Sequence, residues 1–342
     1  MRIGILTGGG DCPGLNAVIR AVTRKAIVSY GDTVIGFRNG WKGVLEDNYM
    51  ELDLSTVSGI LPRGGTILGT SRTNPIGKED QMNLILENIA KHEIDAIIPI
   101  GGDDTLKVCY ALNKLGGKTV GVPKTIDNDI GETDYTFGFH TAVHIVSEAI
   151  DRLHTTAESH HRIMVVEVMG RHTGWIALMS GLAGGADSIL IPEIPYDVDE
   201  LCGALKKRHE SKPFSIVVVA EGATERGQDE PVVQSHKLDA FGHVHLGGVG
   251  SVLARQIEER TGIQCRVTML GYIQRGGTPT AFDRILGTRF GVKAVEAVHD
   301  GEFGKMVALK GENIELVPVQ KAIREPRRVT QDLIDVASVF FG

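Results

Sequence analysis

Short apolar runs of strand length recur along the chain, and amphipathic stretches and glycine-rich turns separate them. In the first part of the chain this pattern predicts helices at 16–29 and 105–115 and strands at 1–7, 34–37, 96–100 and 119–122. In the second part it predicts helices at 139–160, 198–208 and 249–260 and strands at 162–168, 188–191, 215–220 and 264–269. Such alternation is typical of parallel sheets flanked by helices. We therefore expect an α/β fold with two similar domains, each with a mainly parallel sheet.

The stretch at 97–129, IIPIGGDDTLKVCYALNKLGGKTVGVPKTIDND, contains the most informative turns. Its first strand ends at Gly101-Gly102, and Asp103 and Asp104 follow before the helix predicted to begin at Thr105. A turn from strand to helix lies at the carboxyl edge of such a sheet, where free N–H groups and the helix dipole favour an anion. This turn is therefore a candidate anion site.

A second strand, 119–122, leads to PKTIDND at 123–129. We expect this strand to end before the proline, which cannot continue a ladder of hydrogen bonds. Asp127 and Asp129 would then face the first pair of aspartates, an arrangement that suits Mg²⁺ binding and proton abstraction. Lys124 adds the fixed cation that an acidic site needs to hold a polyanionic phosphate. Ordinary polar turns explain either loop by itself equally well, but they explain both at adjacent strand ends less well.

Two further glycine-rich loops follow early strands. The loop at 8–14, GGGDCPG, lacks the Walker lysine and the GxGxxG spacing, so it indicates an anion site or a tight turn with equal weight. The loop at 61–73 contains Arg72, whose guanidinium could neutralise a transferring phosphoryl group and its acceptor. From the residues alone, a solvated surface arginine is the commoner explanation.

Composition narrows the classes of function. A chain of 342 residues favours two domains, and a net charge of −7 without a basic block argues against nucleic acid or anionic membrane partners. The four cysteines lie far apart without a CxxC pair, so we expect neither a disulfide framework nor a zinc site. Without a signal-peptide pattern or a membrane-spanning apolar run, we expect a cytoplasmic protein.

Five motifs together resemble the 6-phosphofructokinase family. They are TGGGDCPGLNAVIR at 7–20, GGDD at 101–104, PKTIDND at 123–129, MGRHTGW at 169–175 and GYIQRGG at 271–277. They follow the family's order from residue 1 to about residue 300. More narrowly, Asp104 and Lys124 resemble the branch that uses inorganic diphosphate in place of ATP.

The resemblance implies a reversible, Mg²⁺-dependent reaction of glycolysis and gluconeogenesis. Diphosphate would phosphorylate the C1 hydroxyl of fructose 6-phosphate, giving fructose 1,6-bisphosphate and phosphate. By the same resemblance Asp127 is the general base, Asp129 supports it, and Asp103 is the Mg²⁺ ligand. Arg72 and Arg171 would stabilise charge during transfer. The residues implied for the donor are Gly9, Gly10, Asp104, Thr105 and Lys124.

The resemblance also implies a binding site for the sugar phosphate. Its positions here are Thr125, Ile126, Asp127, Met169, Gly170, Arg171, Glu221, Tyr272, Ile273, Gln274 and Arg275. Arg162 and Arg266 would reach the 6-phosphate from a neighbouring subunit, which implies a homodimer or homotetramer. The implied domains are residues 1–138 with about 251–300 for donor and metal, and 139–250 with about 301–342 for the sugar phosphate.

The choice of donor depends on two positions at which ATP-using relatives have glycine. Asp104 adds volume and negative charge where an α-phosphate would lie, which disfavours ATP. Lys124 supplies a cation beside a short donor that has no adenosine to bind.

Three alternatives are an ATP-dependent enzyme of the same fold, an enzyme like NAD or lipid kinases, and a non-catalytic phosphometabolite sensor. The kinases share a GGDG-like turn but lack the PKTIDND and MGR loops, and a sensor is expected to lose Asp103, Asp127 or Arg171, which are present. Arg20 and Arg24 match effector positions of regulated relatives, but helix arginines are more often solvated. We therefore expect no strong nucleotide regulation.

Overall fold

The structure, a computed structural model, describes residues 1–341 except 229, 236–241 and 243. Its strands are β1 (Arg2–Gly8), β2 (Thr33–Phe37), β3 (Tyr49–Leu52), β4 (Ala96–Gly101), β5 (Val120–Thr125), β6 (Phe137–Gly138), β7 (Ile163–Val168), β8 (Ser188–Leu190), β9 (Ser215–Ala220), β10 (Val233–Ser235), β11 (His245–Leu246), β12 (Cys265–Met269), β13 (Lys305–Lys310) and β14 (Asn313–Pro318). Its α-helices are α1 (Leu15–Lys25), α2 (Trp41–Leu45), α3 (Glu79–Lys91), α4 (Asp103–Lys114), α5 (Phe139–His160), α6 (Trp175–Ala183), α7 (Val198–Ser211), α8 (Val249–Thr261), α9 (Ala281–His299), α10 (Val319–Ala322) and α11 (Gln331–Ser338). A π-helix at Ala26–Tyr30 continues α1, and a 3₁₀-helix spans Gly271–Arg275.

The chain divides into two compact units. The first contains Met1–Thr141, Arg275–Pro326 and Gly242, and the second contains the described residues of Ala142–Leu238, His243–Gln274 and Arg327–Gly342. None of the described helices has the length and apolar character needed to cross a membrane.

The first unit is built on a sheet with the strand order β14-β13-β5-β4-β1-β2-β3, in which β6 also pairs with β5. The strands from β13 to β2 are parallel, whereas β3 and β14 are antiparallel to their neighbours. Every residue of β4 is buried, as expected for a central strand covered on both faces. The register places Gly8 beside Gly101 and Gly101 beside Pro123, so three strands end at one edge.

The second unit contains a parallel sheet with the order β12-β7-β9-β8. Every residue of β7 and of β9 is buried. Helices α7 and α8 cover one face, where Leu205, Leu253 and Ile257 pack against Val217 in a common core. The predicted α/β fold with mainly parallel sheets is thus confirmed.

Two predicted boundaries near the motifs are wrong. Strand β5 continues through the proline to Thr125, because a proline lacks only the donor N–H and can still occupy a paired position. Helix α4 begins at Asp103 and not at Thr105, because carboxylates in a first turn interact favourably with the helix dipole. Lys124 therefore lies in a strand, and both aspartates lie in a helix.

The units also differ from the expected domains. Strand β12 pairs with β7, which places residues 251–274 in the second unit and not in the first. Strand β13 pairs with β5 and buries Met306 and Val307, which places the β13–β14 hairpin in the first unit. The chain returns to the first unit at Arg275.

Candidate active site

The meeting point of β1, β4 and β5 allows no side chain at two of its glycines. A Cβ built on Gly8 would lie 2.6 Å from Oγ1 of Thr105, and one on Gly101 would lie closer still. Thr105 is buried in the first turns of α4. The glycines thus let this helix start directly against the ends of two strands, and the structure places the predicted donor residue Thr105 beneath them.

The glycine-rich loop after β1 is held by the loop that contains Arg72. Gly9 has a φ of +80°, a conformation that glycine adopts without strain. Its N–H donates to the carbonyl of Ser71 at 3.1 Å, and its carbonyl accepts from Oγ1 of Thr70 at 2.6 Å. The loop that contains Arg72 therefore lies beside the glycine-rich loop.

Lys124 is a buried cation, only 3% exposed, at the end of β5. Its Nζ donates to the carbonyl of Gly10 and would lie 3.6 Å from a Cβ on Gly9. Burial lowers the pKa of Lys124, and the nearby charge of Arg275 lowers it further. An ammonium kept against these costs is expected where an anion binds.

Arg275, expected at the sugar phosphate, lies against the glycine-rich loop of the first unit. Its Nη1 is 2.7 Å from the position of a Cβ on Gly10 and donates to the carbonyl of Asp11 at 3.3 Å. A side chain at position 10 would therefore displace the flexible end of Arg275. Two cations, Arg275 and Lys124, flank this loop.

The first turn of α4 combines two carboxylates with a lysine that the sequence analysis did not single out. Nζ of Lys107 contacts Oδ2 of Asp103 and lies 3.7 Å from Oδ1 of Asp104. Partial burial opposes the charge of Lys107, but its hydrogen bond with Asp103 and the charges of both aspartates raise its pKa. The i, i+4 spacing from Asp103 was the signal that could have identified it.

The loop with the other two aspartates is fixed by a left-handed residue between them. Asn128 has a φ of +53°, and its Oδ1 accepts from the N–H of Thr136 at 3.0 Å. Oγ1 of Thr136 donates to the carbonyl of Thr125 at 2.8 Å. Asparagine tolerates this conformation better than most residues. Neither Asn128 nor Thr136 was given a role from the sequence, yet both set the direction of Asp127 and Asp129.

The environment of Asp129 disfavours its charged form. Burial and then the charge of Asp127 raise the pKa of Asp129 to about 7. The charge of Asp103 raises the pKa of Asp129 further, so the charges of both Asp127 and Asp103 act on Asp129. Near neutral pH the site therefore carries less negative charge than its composition suggests.

The residues at this edge fit Mg²⁺. Their oxygen ligands are hard, and burial raises the pKa of the neighbouring Cys12 thiol to about 12, which removes a soft thiolate. Within the described part of the chain, no group of three His, Cys, Asp or Glu side chains could hold a metal by itself. Mg²⁺ commonly uses one or two carboxylates together with substrate phosphates and waters. Asp103 is suited to such a site.

In the second unit, predicted sugar-phosphate residues meet at the carboxyl edge of its sheet. Met169, Gly170 and Arg171 follow β7, and Glu221 follows β9. The N–H of Glu221 donates to the carbonyl of Val168 at 2.8 Å. The Arg171 side chain donates to the carbonyl of Val244 at 2.7 Å.

The remaining predicted residues of this unit are divided between a buried and an exposed group. Gln274 is fully buried, and its Oε1 accepts from the N–H of Met169 at 3.2 Å, so it supports the backbone of this edge. The Tyr272 and Ile273 side chains are exposed by 74% and 66%.

Arg162 and Arg266 lie at the other end of this sheet. Arg162 precedes β7 and donates to Oε1 of Gln264 at 2.8 Å, and Arg266 is the second residue of β12. Strand β7 separates Arg162 from Met169 by about 23 Å at about 3.3 Å per residue. Within one chain, the structure does not bring these two arginines to the edge that holds Arg171.

Comparison with known proteins gives consistent matches. The sequence pattern of the family described as "Phosphofructokinase" matches residues 2–298. The pyrophosphate–fructose 6-phosphate 1-phosphotransferase of Streptomyces coelicolor is 58% identical, with both chains covered in full. From the same organism, ATP-dependent 6-phosphofructokinase 3 is 55% identical, with 96% of each chain covered. The crystal structure of the pyrophosphate-dependent phosphofructokinase from Nitrosospira multiformis is similar in fold, with a TM-score of 0.86 at 21% identity over all of this chain and 92% of that one.

Proposed function

Because the chain belongs to the phosphofructokinase family, we propose that it transfers a phosphoryl group from inorganic diphosphate to the C1 hydroxyl of fructose 6-phosphate. The products are fructose 1,6-bisphosphate and orthophosphate. We propose that this reaction is reversible.

One observation carries the choice of donor. Asp104 places a carboxylate in the first turn of α4, next to the glycine turn where donor phosphates are proposed to bind. A carboxylate there repels the α-phosphate of a nucleotide and occupies its space, whereas the shorter diphosphate does not need that space. Identity alone separates the donors poorly, since an ATP-dependent relative reaches 55%. The side chain at position 104 is therefore the stronger argument.

Three carboxylates of the first unit have different roles in the proposed reaction. Burial and the charge of Asp127 raise the pKa of Asp129, which suits Asp129 to a supporting role beside the proposed base. Asp127 takes the proton of the C1 hydroxyl as its oxygen attacks the nearer phosphorus, and the bond to the bridging oxygen breaks to release orthophosphate. When bound, Mg²⁺ neutralises donor oxygens and stabilises the leaving phosphate, and Asp103 would hold it.

The cations hold the donor and balance the charge that develops during transfer. Lys124 lies between the glycine-rich loop and the aspartate loop, where it can contact a diphosphate oxygen without leaving β5. Gly9 and Gly10 present backbone without a Cβ to the same oxygens. Arg72 and Arg171 stabilise the transferring group.

We also propose residues for the sugar phosphate and a shared site. Thr125, Ile126, Met169, Gly170, Glu221, Tyr272, Ile273, Gln274 and Arg275 bind or support the sugar phosphate. Arg162 and Arg266 act on the site of a neighbouring subunit, which fits their position at the amino end of their strands. The enzyme is then a homo-oligomer, and we place it in the cytoplasm.

A two-donor assay tests the function. The purified protein is given Mg²⁺, fructose 6-phosphate and either diphosphate or ATP, and kcat/KM is measured for each donor. We expect a higher kcat/KM for diphosphate, and we expect Asp104→Gly to raise the value for ATP. Faster turnover of the unchanged protein with ATP would refute the choice of donor and favour the ATP-dependent alternative.

A further inference from the structure

Glu193 is an acidic residue of the second unit to which the proposed reaction gives no role. It follows β8, and its carboxylate accepts from the N–H of Gly174 at 2.9 Å through Oε2 and at 3.1 Å through Oε1. Gly174 is the residue before α6, and it ends the sugar-phosphate loop, residues 169–174, in which several residues proposed for the sugar phosphate lie. Glu193 thus contacts the backbone of this loop from another segment.

The start of α6 explains why a carboxylate is placed there. Helix α6, which the structure describes in full, has no side-chain cap and no acidic residue in its first turn. Ala177 occupies the position from which a glutamate commonly bonds the N–H of the capping residue. Glu193 supplies that carboxylate from a distant part of the chain, and its negative charge interacts favourably with the helix dipole.

The sugar-phosphate loop is in close contact with its surroundings at both ends. A Cβ on Gly174 would lie 2.3 Å from the Cβ of Ile191. Nearer the start of the loop, the N–H of Gly222 donates to the carbonyl of Gly170 at 3.1 Å, and a Cβ on Gly222 would lie 2.0 Å from the carbonyl oxygen of Arg171. Because packed backbones transmit displacements, a shift of Gly174 is expected to move the substrate residues.

The same carboxylate also holds a second segment, residues 327–341. Oε1 of Glu193 accepts from the N–H of Val329 at 3.1 Å. Beside Gly174, the indole N–H of Trp175 donates to the carbonyl of Arg327 at 2.8 Å, and the Arg327 guanidinium lies 4.1 Å from the centroid of the Trp175 ring. Both residues at the start of α6 are therefore connected to the 327–341 segment, one directly and one through Glu193.

The rest of the 327–341 segment buries little apolar surface. Of the eight residues of α11, all of which the structure describes, only Ala337 is buried. Val339 and Phe340 are exposed by 76% and 64%. A cavity of about 380 Å³ is lined by both α11 and Ile194. With so few buried apolar contacts, the docking of this segment depends strongly on its bonds at 327–329.

Building on the proposed function, we propose that Glu193 is a positioning residue that couples the sugar-phosphate loop to the docked 327–341 segment. One carboxylate fixes both backbones, so the loop keeps its binding geometry while the segment is docked. The coupling is reciprocal: docking favours the binding of fructose 6-phosphate, and fructose 6-phosphate favours docking. Glu193 acts through the backbone of Gly174 and not on the reacting atoms.

The first experiment compares the KM values of the two substrates. Glu193→Ala removes the acceptor of both N–H groups, and we expect the KM for fructose 6-phosphate to rise about tenfold, the lower end of what a hydrogen bond to a charged group contributes. The kcat and the KM for diphosphate should stay within about twofold, because distant sites act nearly independently. Glu193→Gln keeps a neutral acceptor with bonds roughly half as strong, so its KM for fructose 6-phosphate should rise about threefold.

Asp197→Ala is the matched control for this comparison. Asp197 is a carboxylate of the same unit that accepts from the N–H groups of Asp199 and Glu200 at 2.9 and 3.0 Å, at the start of α7. Its loss weakens a helix start that the sugar-phosphate loop does not share, so the KM for fructose 6-phosphate should change by less than about twofold. An unchanged KM in Glu193→Ala, or an equal rise in Asp197→Ala, would overturn the inference.

The second experiment measures the coupling without turnover. Amide hydrogen exchange of the full chain is followed by mass spectrometry in peptides that cover 169–176 and 327–338. We expect exchange to be about tenfold faster in both regions for Glu193→Ala, about threefold faster for Glu193→Gln, and unchanged for Asp197→Ala. In the unchanged protein, fructose 6-phosphate should slow exchange at 327–338, and Glu193→Ala should lose this protection. Faster exchange in only one of the two regions would show that Glu193 does not couple them.

The two experiments separate this inference from the proposed function. If fructose 6-phosphate is not phosphorylated, the proposed function is wrong, and exchange without a ligand still decides whether Glu193 couples the two segments. If it is phosphorylated and Glu193→Ala changes neither its KM nor the exchange, the function stands and the role of Glu193 is wrong. If Glu193→Ala does not fold, the smaller changes expected for Glu193→Gln decide in the same way.

Discussion

Replacing Lys124 with methionine should separate the function of that lysine from the stability of the fold. The side chain is 3% exposed, and its ammonium donates to the carbonyl of Gly10. Methionine fills a similar volume without charge, so the main change is the loss of the ammonium. If Lys124 binds diphosphate, its removal should lower activity with diphosphate far more than it lowers the stability of the fold.

The expected loss of activity follows from the bond that an ammonium makes with a phosphate oxygen. A hydrogen bond to a charged group contributes about 1.5–3 kcal/mol, which corresponds to a loss of about 10- to 150-fold in kcat/KM for diphosphate.

Lys124→Met should change the stability of the protein only slightly. Burial lowers the pKa of Lys124 from its ordinary 10.5. With a lower pKa in the folded state, the unfolded chain binds more protons, so the lysine reduces stability as the pH falls below 10.5. Methionine removes this cost together with one hydrogen bond. We expect the free energy of unfolding to change by less than about 1 kcal/mol. A small increase in stability agrees with this expectation as well as a small decrease does.

The assay combines initial rates with urea unfolding at pH 7.5. kcat/KM is measured for diphosphate at saturating fructose 6-phosphate, with Lys114→Met as a control that removes one exposed charge from α4. The reasoning is refuted if Lys124→Met keeps full activity with diphosphate. It is also refuted if kcat/KM falls and the free energy of unfolding falls by several kcal/mol at the same time. The lysine would then hold the glycine-rich loop in place and would not bind the donor.

Three further changes test other parts of the site. Asp127→Asn should lower kcat by about 10²- to 10⁴-fold and leave diphosphate binding by calorimetry nearly unchanged, because only the proton acceptor is lost; an equal loss in binding would argue against a general base. The pKa of Asp129 is about 7 when folded, against 3.8 ordinarily, so the folded state keeps a proton between these values and stability should fall as the pH rises from 4 to 7. Urea midpoints across this range should show a shallower fall for Asp129→Asn, and parallel curves would contradict the raised pKa. Gly101→Ala places a Cβ against the Cβ, Oγ1 and Cγ2 of Thr105 and should cost about 1–3 kcal/mol of unfolding free energy. The same change should cost less in a Thr105→Gly background, which removes all three contacting atoms; an equal cost in both backgrounds would show that the clash is not the cause.

Much of the donor edge could be predicted from local patterns. The apolar run that became β4 ends in two glycines and two aspartates, and a parallel sheet brings such ends together whatever the details of packing. In the structure, Gly8 is paired with Gly101 and Gly101 with Pro123, so the predicted turns lie side by side.

The features that were missed depend on contacts between distant segments. Pairing of β12 with β7 and of β13 with β5 moved the unit boundaries, and no local pattern specifies which strands pair over such a separation in sequence. Arg275 could be assigned only by motif, and its position against Gly10 depends on where the chain returns to the first unit. Lys107 was a local signal, but an i, i+4 pair on a helix is too common to indicate function.

A direct competition between the two donors tests the central claim most closely. Equal concentrations of diphosphate and ATP are mixed with Mg²⁺, limiting fructose 6-phosphate and the unchanged protein, and phosphorus NMR follows both donors in one tube. The account predicts that the diphosphate signal decreases, that orthophosphate and fructose 1,6-bisphosphate form in equal amounts, and that ATP persists. Consumption of ATP with formation of ADP, and with diphosphate left intact, would contradict it.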